Sequence, residues 1–272
     1  MQNGIHFISG LPRSGSTLLS ALLRQNPRFH AGMTSPVGSL FSAMLREVSQ
    51  GNETAVFIDN TQRAALLRTV FDTYYADLHP THVVFDTNRL WTTKLPTLVS
   101  LFPECKVVCC VRHVSWIMDS IERLIRRNHL ELSKIFNFEA GGSVYSRVDG
   151  LGGATGMVGF AWNGLREAIY GEHADRLLLV TYETLTLDPL RALAAIYDFI
   201  GEPHFQHDPE NVTFADAAEF DARLGTPGLH TIGSSVRPTE RKTILPPDLF
   251  ARFEQDAFWR DLRQVPSAVK IV

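Results

Sequence analysis

The run Gly10-Leu-Pro-Arg-Ser-Gly-Ser-Thr17 combines glycines, hydroxyls and one guanidinium at a spacing suited to holding an anion. Its frame, Gly-x4-Gly-x-Ser/Thr, is that of a phosphate-binding loop, where backbone N–H groups and a helix N-terminus surround phosphate oxygens. Glycine belongs where backbone must approach the anion closely. Ser14, Ser16 and Thr17 can add hydroxyl donors around Gly15. Loops that bind nucleoside triphosphates carry lysine before the final Ser/Thr, reaching the β- and γ-phosphates. Here that position is Ser16, and the fixed charge arrives earlier, at Arg13. The exchange is awkward for ATP hydrolysis.

A second cluster is Arg112-His-Val-Ser-Trp-Ile-Met-Asp-Ser120. Arg112 ends an apolar run, and open parallel sheets bind ligands at the carboxyl ends of their strands. Ser115 is expected to cap the helix that follows, which puts Ser120 about a turn and a half inside it. Arg112 and Ser120 can then hold one phosphate, the first with charge and the second with a hydroxyl. Arg123 lies one turn beyond Ser120 and either joins that grip or belongs to a solvated basic face with Arg126 and Arg127. Two separated grips imply a ligand phosphorylated in two places, and a 3′,5′-bisphosphorylated adenosine has that shape. A hydroxyl acceptor would benefit from a general base, for which His30, Asp86 and His113 are candidates, with a base-free transfer as the alternative. Each has a purely structural alternative: His30 at a turn, Asp86 fixing a loop, His113 orienting Arg112.

The elements that must position these groups follow from hydrophobic period. Short apolar runs at 4–9, 82–86, 106–111 and 177–181 are predicted strands. Between them, Leu18, Leu19, Leu22 and Leu23 share one helical face, stopped at Asn26-Pro27. Further helices are expected at 38–48, 62–78, from 87 through Leu101, at 114–127, and after Asp188-Pro189, closed by Gly201. Strands alternating with helices give an α/β fold: a P-loop-type three-layer sandwich with a central, mostly parallel β-sheet flanked by helices. A single domain over 1–272 is expected. The glycine-rich stretch 139–156 is either a surface loop or a mobile lid within 127–160, and 218–247 is expected to be irregular.

Composition narrows the function. The chain has 272 residues, 44% hydrophobic and 20% charged, with a formal net charge of −3. Such a balance supports a continuous core and argues against general binding to nucleic acid or to an acidic membrane surface. Cys105, Cys109 and Cys110 have no metal-ligand spacing, and adjacent strand residues point to opposite faces, so reduced buried thiols and a cytoplasmic location are expected. No signal peptide and no membrane span are expected, and no metal.

FISGLPRSGSTLL followed by VVCCVRHVSWIMDSI resembles the two signature segments of the superfamily of sulfotransferases that use 3′-phosphoadenosine 5′-phosphosulfate (PAPS). The pattern is closer to its bacterial and tyrosylprotein branches than to its cytosolic small-molecule branch. DTNRLWTTKLPTLVSLFP and LLLVTYETLTLDPLRALAAIYDFIG extend the likeness in the same order. The resemblance implies sulfuryl transfer from PAPS to a hydroxyl or amine on a small-molecule or peptide acceptor, releasing adenosine 3′,5′-bisphosphate. It puts the 5′-phosphosulfate on Arg13, Ser14, Gly15, Ser16 and Thr17, and the 3′-phosphate on Arg112 and Ser120. Tyr182 is either near the nucleotide or in the core, and the segment around 234–242 closes over the cofactor. Two departures stand out. Thr34 falls where tyrosylprotein sulfotransferases carry a catalytic glutamate, and no lysine matches cleanly after the second strand, leaving Arg89 or Lys94 to reach the bridging oxygen. The alternatives are a P-loop kinase, with Asp86 as its only strand-end magnesium ligand, and a nucleotide-binding protein without catalysis. The resemblance leaves the oligomeric state open, a dimer included.

Overall fold

The computed structural model describes residues 4–49, 51–78, 80–136, 142–214, 217–238 and 240–272. In chain order the elements are β1 (Ile5–Gly10), α1 (Ser16–Leu23), β2 (Phe29–Ala31), α2 (Val37–Glu47), α3 (Asn60–Tyr74), β3 (Val83–Thr87) and α4 (Leu95–Leu101). They continue as β4 (Val107–Val111), α5 (Val114–Arg127), α6 (Val144–Gly152), α7 (Met157–Tyr170), β5 (Leu177–Thr181), α8 (Tyr182–Leu187) and α9 (Pro189–Ile200). The last are α10 (Ala218–Arg223), α11 (Pro247–Ala251) and β6 (Lys270–Ile271). All six strands pair in parallel, in the order β2-β3-β1-β4-β5-β6.

Strand alternation divides the core into two layers, one on each face of the sheet. Phe7, Val107, Cys109, Leu177 and Leu179 face one layer, where they meet Phe71 of α3, Leu98 of α4, Ile117 of α5 and Leu165 of α7. Ile8, Val108, Cys110, Leu178 and Val180 face the other, against Leu19 and Leu22 of α1 and Leu193 and Ile196 of α9. The three-layer α/β sandwich is therefore present, with a sheet that is parallel throughout. Cys109 and Cys110 fall on opposite faces, and all three thiols are free and buried. Burial pushes Cys105 and Cys110 up to about 12. Among the described residues no helix is long and apolar enough to cross a membrane.

Caps explain where several helices begin and end. Asp188 Oδ1 accepts from the Arg191 N–H at 3.2 Å, and Gly201 closes α9 with φ 76°. Asp59 and Gln62 form a reciprocal capping box that starts α3 earlier than the apolar period indicates. Ser115 does not cap α5; that place is His113, and the Ser115 hydroxyl donates instead to the Phe250 carbonyl at 2.6 Å, tying α5 to α11.

The glycine-rich stretch departs most from expectation. From Val144 it is helical, α6, with Val148 and Leu151 buried one turn apart, and residues 139–141 lie outside the described set. A Cβ on Gly156 would strike the Gly150 and Leu151 carbonyls, and one on Gly159 would strike those of Gly152 and Gly153. These glycines allow close contact at the α6–α7 elbow, so glycine content here marks tight packing rather than irregularity. Among the described residues of 218–246, α10 is the one regular element, and α11 begins at Pro247. Strands β2 and β6 are too short to leave a periodic signal.

Gly10 ends β1 at φ 98°, and a Cβ there would overlap the main chain of Cys110 in β4. The Leu11 N–H donates to that Cys110 carbonyl at 2.8 Å. Gly10→Ala is therefore expected to cost at least about 2 kcal/mol, measured by denaturant unfolding, because strained φ and backbone overlap add.

Candidate active site

Strands β1 and β4 are neighbours, and their carboxyl ends open on one cleft of about 1090 Å³. The loop after β1 turns back on itself at Arg13, whose φ of 56° is the only positive one outside glycine among the described residues. Gly15 follows at φ 97° and starts α1 without a side-chain cap. A Cβ on Gly15 would meet Leu185 of α8 at 2.8 Å, so the loop needs glycine there to pack against that helix. The first-turn N–H groups of α1 have no intrahelical acceptors, and that turn contains no acidic residue. Gly15, Ser16 and Thr17 line the cleft, while Ser14 is buried and its hydroxyl donates to the Pro12 carbonyl at 3.3 Å.

Arg13 joins the two halves of the site. Its Nε donates to the Ser120 hydroxyl at 3.1 Å, and its Nη1 donates to the Leu229 carbonyl. Arg112, at the end of β4, donates to the Arg13 carbonyl at 3.2 Å and stacks over the Tyr182 ring at 3.8 Å. Arg241 enters from the C-terminal segment, its Nη2 3.2 Å from Asp119 Oδ2. Burial lowers Arg13 to about 10, and the charges of Arg112 and then Arg241 add to the effect. Burial is also the largest cause lowering Arg112 and Arg241. Three guanidiniums converge here, and of these only Arg241 has a carboxylate within salt-bridge distance among the described residues, so the arrangement can receive an anionic ligand.

The remaining wall is consistent with that sign. Arg89, Lys134 and Arg147 also line the cleft, and among the described residues no Asp or Glu does. Arg147 is answered from behind by Glu122, at 2.7 and 2.9 Å. Arg89 has protein on most sides, and burial lowers its pKa, yet its side chain is open to the cleft. Between these charges lie apolar groups, Met33, Leu90, Phe136, Met157 and Phe160.

Several residues singled out in the sequence lie elsewhere. Asp86 is fully buried off the cleft wall, accepting from the Ser35 and Tyr75 hydroxyls, both at 2.5 Å, and from Trp91 Nε1 at 2.8 Å. Burial raises its pKa while those three bonds oppose the rise, and its place is to tether the segment before α2 to β3. His30 packs edge-on against Tyr75 at 5.5 Å, and His113 lies face to face with Phe250 at 6.5 Å. Neither lines the cleft, nor does Lys94. Burial lowers the pKa of both histidines. Arg123 is also off the wall, donating to Asp119 at 2.9 Å and to the Lys242 carbonyl. Thr34, at the place of the expected glutamate, does line the cleft.

One pair escaped the sequence. His230 lines the cleft and is hydrogen-bonded through Nδ1 to Asp221 Oδ1 at 2.6 Å. Burial lowers the pKa of His230, the bond to Asp221 raises it, and the Arg13 and Arg89 charges lower it again. The two partners lie nine positions apart in a segment without apolar period, and no motif announces them.

Residues 6–207 match the family model described as Sulfotransferase family. The chain is similar in structure to the sulfotransferase domain from the curacin biosynthetic pathway, at 17% identity over 92% of this chain and 90% of that one, with a TM-score of 0.51. That likeness is one of fold. The sulfotransferase domain from the Synechococcus PCC 7002 olefin synthase aligns at 19% identity over 94% of each chain, TM-score 0.48. A sulfotransferase from Alicyclobacillus acidocaldarius aligns at 14% identity over 82% of this chain and 91% of its own, TM-score 0.48.

Proposed function

The chain belongs to the sulfotransferase family, and from that premise we propose that it moves a sulfuryl group from PAPS to a hydroxyl on a small-molecule or peptide acceptor, releasing adenosine 3′,5′-bisphosphate. The observation that carries this reading is the pair of cationic seats at the ends of β1 and β4. Arg13 and the Gly15–Thr17 turn suit the 5′ side of the nucleotide; Arg112 and Ser120 suit its 3′-phosphate. The donor fits on this chain's own terms, because the half-buried guanidiniums of Arg13 and Arg112 have no salt-bridge partner among the described residues and no carboxylate lines the cleft they share with Arg241. Tyr182 holds the Arg112 guanidinium flat and lies on the nucleotide side of the cleft. We place the acceptor against the apolar groups around Met157 and Phe160.

PAPS supplies an activated sulfuryl group, and the protein's part is positioning and charge stabilisation. Arg13 and the α1 N-terminus meet the negative charge that develops on the leaving phosphate. Arg89, open to the cleft and unpaired among the described residues, is set to meet sulfuryl or bridging oxygen charge. A wall of cations without a carboxylate also disfavours a protonated amine as acceptor, which selects the hydroxyl.

On this reading the protein is one domain that works in the cytoplasm, with the segment around Arg241 closing over the nucleotide. The kinase reading loses ground because Asp86, its only candidate magnesium ligand, is committed to Ser35, Tyr75 and Trp91. Calorimetric titration with adenosine 3′,5′-bisphosphate and, separately, with ATP and magnesium decides between the two. Binding of the bisphosphate, together with label transfer from radiolabelled PAPS to a hydroxyl acceptor, is the expected result. Tight ATP binding without bisphosphate binding would reject sulfuryl transfer, and bisphosphate binding without transfer to any acceptor would leave a binding protein.

A further inference from the structure

None of the three sequence-derived bases lines the cleft, but among the described residues one histidine does, His230. We infer that His230, oriented by Asp221, is the general base that takes the proton from the acceptor hydroxyl; the inference rests on the sulfuryl-transfer reading above. Both oxygens of Asp221 serve the same residue. Oδ1 accepts from the His230 ring at 2.6 Å, and Oδ2 accepts from the His230 backbone N–H at 2.8 Å. Asp221 is 1% exposed at the start of α10, so this carboxylate is held where it is. The bond assigns the ring proton to Nδ1 and leaves the Nε2 lone pair without a partner among the described residues, on a ring that lines the cleft. A carboxylate behind an imidazole also stabilises the imidazolium formed when Nε2 takes a proton.

Placement relative to the donor is independent of that pair. The Leu229 carbonyl, one residue before His230, accepts from Arg13 Nη1. The base is thus tied to the loop that would hold the 5′ side of the nucleotide. The charged groups facing His230 are Asp221 from α10, Arg13 from the phosphate loop and Arg89 from the turn after β3, and the Phe220 ring packs at 5.6 Å. Burial and the two arginines outweigh Asp221, so the ring is neutral and ready to accept at neutral pH. In the step, the acceptor oxygen forms a bond to sulfur and its proton passes to Nε2. The bond from sulfur to the phosphate oxygen breaks, and its electron pair stays on that oxygen, next to Arg13.

The test compares wild type with His230→Gln and Asp221→Asn, using radiolabelled PAPS with hexan-1-ol and with 4-nitrophenol, whose hydroxyl ionises near neutrality unaided. His230→Gln should lower transfer to the alcohol by about 10²–10³-fold and to the phenol by less than about tenfold, because general-base assistance matters most for the weaker acid. Asp221→Asn should show the same ordering with a smaller loss. The wild-type rate should rise with pH through a limb below 6.5, since the base works only when unprotonated, and that limb should vanish in His230→Gln. Nitrogen NMR of the free protein should show a protonated Nδ1 and an unprotonated Nε2 at His230. Calorimetry with adenosine 3′,5′-bisphosphate separates the outcomes. If the variants bind it within about threefold of wild type, yet lose both acceptors equally or neither, His230 is not the base and the sulfuryl-transfer reading stands. Wild type that binds the bisphosphate but transfers to neither acceptor also overturns the role of His230. Wild type that fails to bind the bisphosphate overturns the reading beneath it.

Discussion

Arg13→Ala combined with Arg112→Ala is expected to lower affinity for adenosine 3′,5′-bisphosphate by about 10²–10⁴-fold. Each guanidinium supplies charge-assisted bonds of about 1.5–3 kcal/mol, and each single variant should show about 10–10²-fold. The two positions are unequal in what else they disturb. Arg13 also bridges Ser120 and the Leu229 carbonyl, so its removal should loosen the 229–231 segment. Among the described residues, Arg112 makes a hydrogen bond to the Arg13 carbonyl and stacks on the Tyr182 ring, and it bridges no second segment as Arg13 does, which makes Arg112→Ala the cleaner probe of the ligand. Arg127→Ala, on the exposed end of α5, serves as a control and should change affinity less than twofold. Calorimetry on the four proteins reads the result. Affinity unchanged in the double variant would show that the nucleotide sits somewhere else.

The second large effect belongs to a residue that does not line the cleft. Asp119, in the turn of α5 that carries Ser120, is fully buried. It accepts from Arg123 Nε at 2.9 Å, from the Thr243 hydroxyl at 3.0 Å and from the Ile244 N–H at 2.7 Å, with Arg241 Nη2 at 3.2 Å. One carboxylate therefore fastens the C-terminal segment to the helix that carries Ser120. Removing one partner from a buried ionic group leaves the others uncompensated, at a cost of about 3–5 kcal/mol. Asp119→Ala is expected to lose about that much in denaturant unfolding, and to speed hydrogen exchange at Ile244. Nucleotide affinity should fall as well, because Arg241 is freed from its position. Asp119→Asn keeps an acceptor for Thr243 and Ile244 and should fall between wild type and alanine. Exchange at Ile244 unchanged in Asp119→Ala would show that the segment is held by other contacts.

The phosphate loop and the Arg112 cluster were legible because they are local. A strand, a glycine turn and a helix start within eight residues specify a backbone anion seat whatever surrounds them, and Arg112 announces itself by ending an apolar strand. The proposed base was not legible for the opposite reason. Asp86 looked catalytic as a strand-end carboxylate, but Tyr75 and Trp91, eleven and five positions away, fold over it and take its oxygens. Asp221 and His230 lie in a segment where hydrophobic period carries no information, and their pairing depends on a turn fixed by contact with Arg13.

The amino-acid order alone therefore determined the α/β sandwich and its main strands, and it pointed to the Arg13 loop and Arg112 as candidate anion seats, because hydrophobic period, caps and a glycine-bounded loop are short-range physics. Tertiary structure decided which charges face the cleft. Arg123 turned to Asp119, Arg241 came in from a segment more than a hundred residues later, and the 144–152 helix closed on glycines that in sequence suggest a loop. Burial and long-range partners set the availability of a charged side chain, and neither is written in its neighbours along the chain.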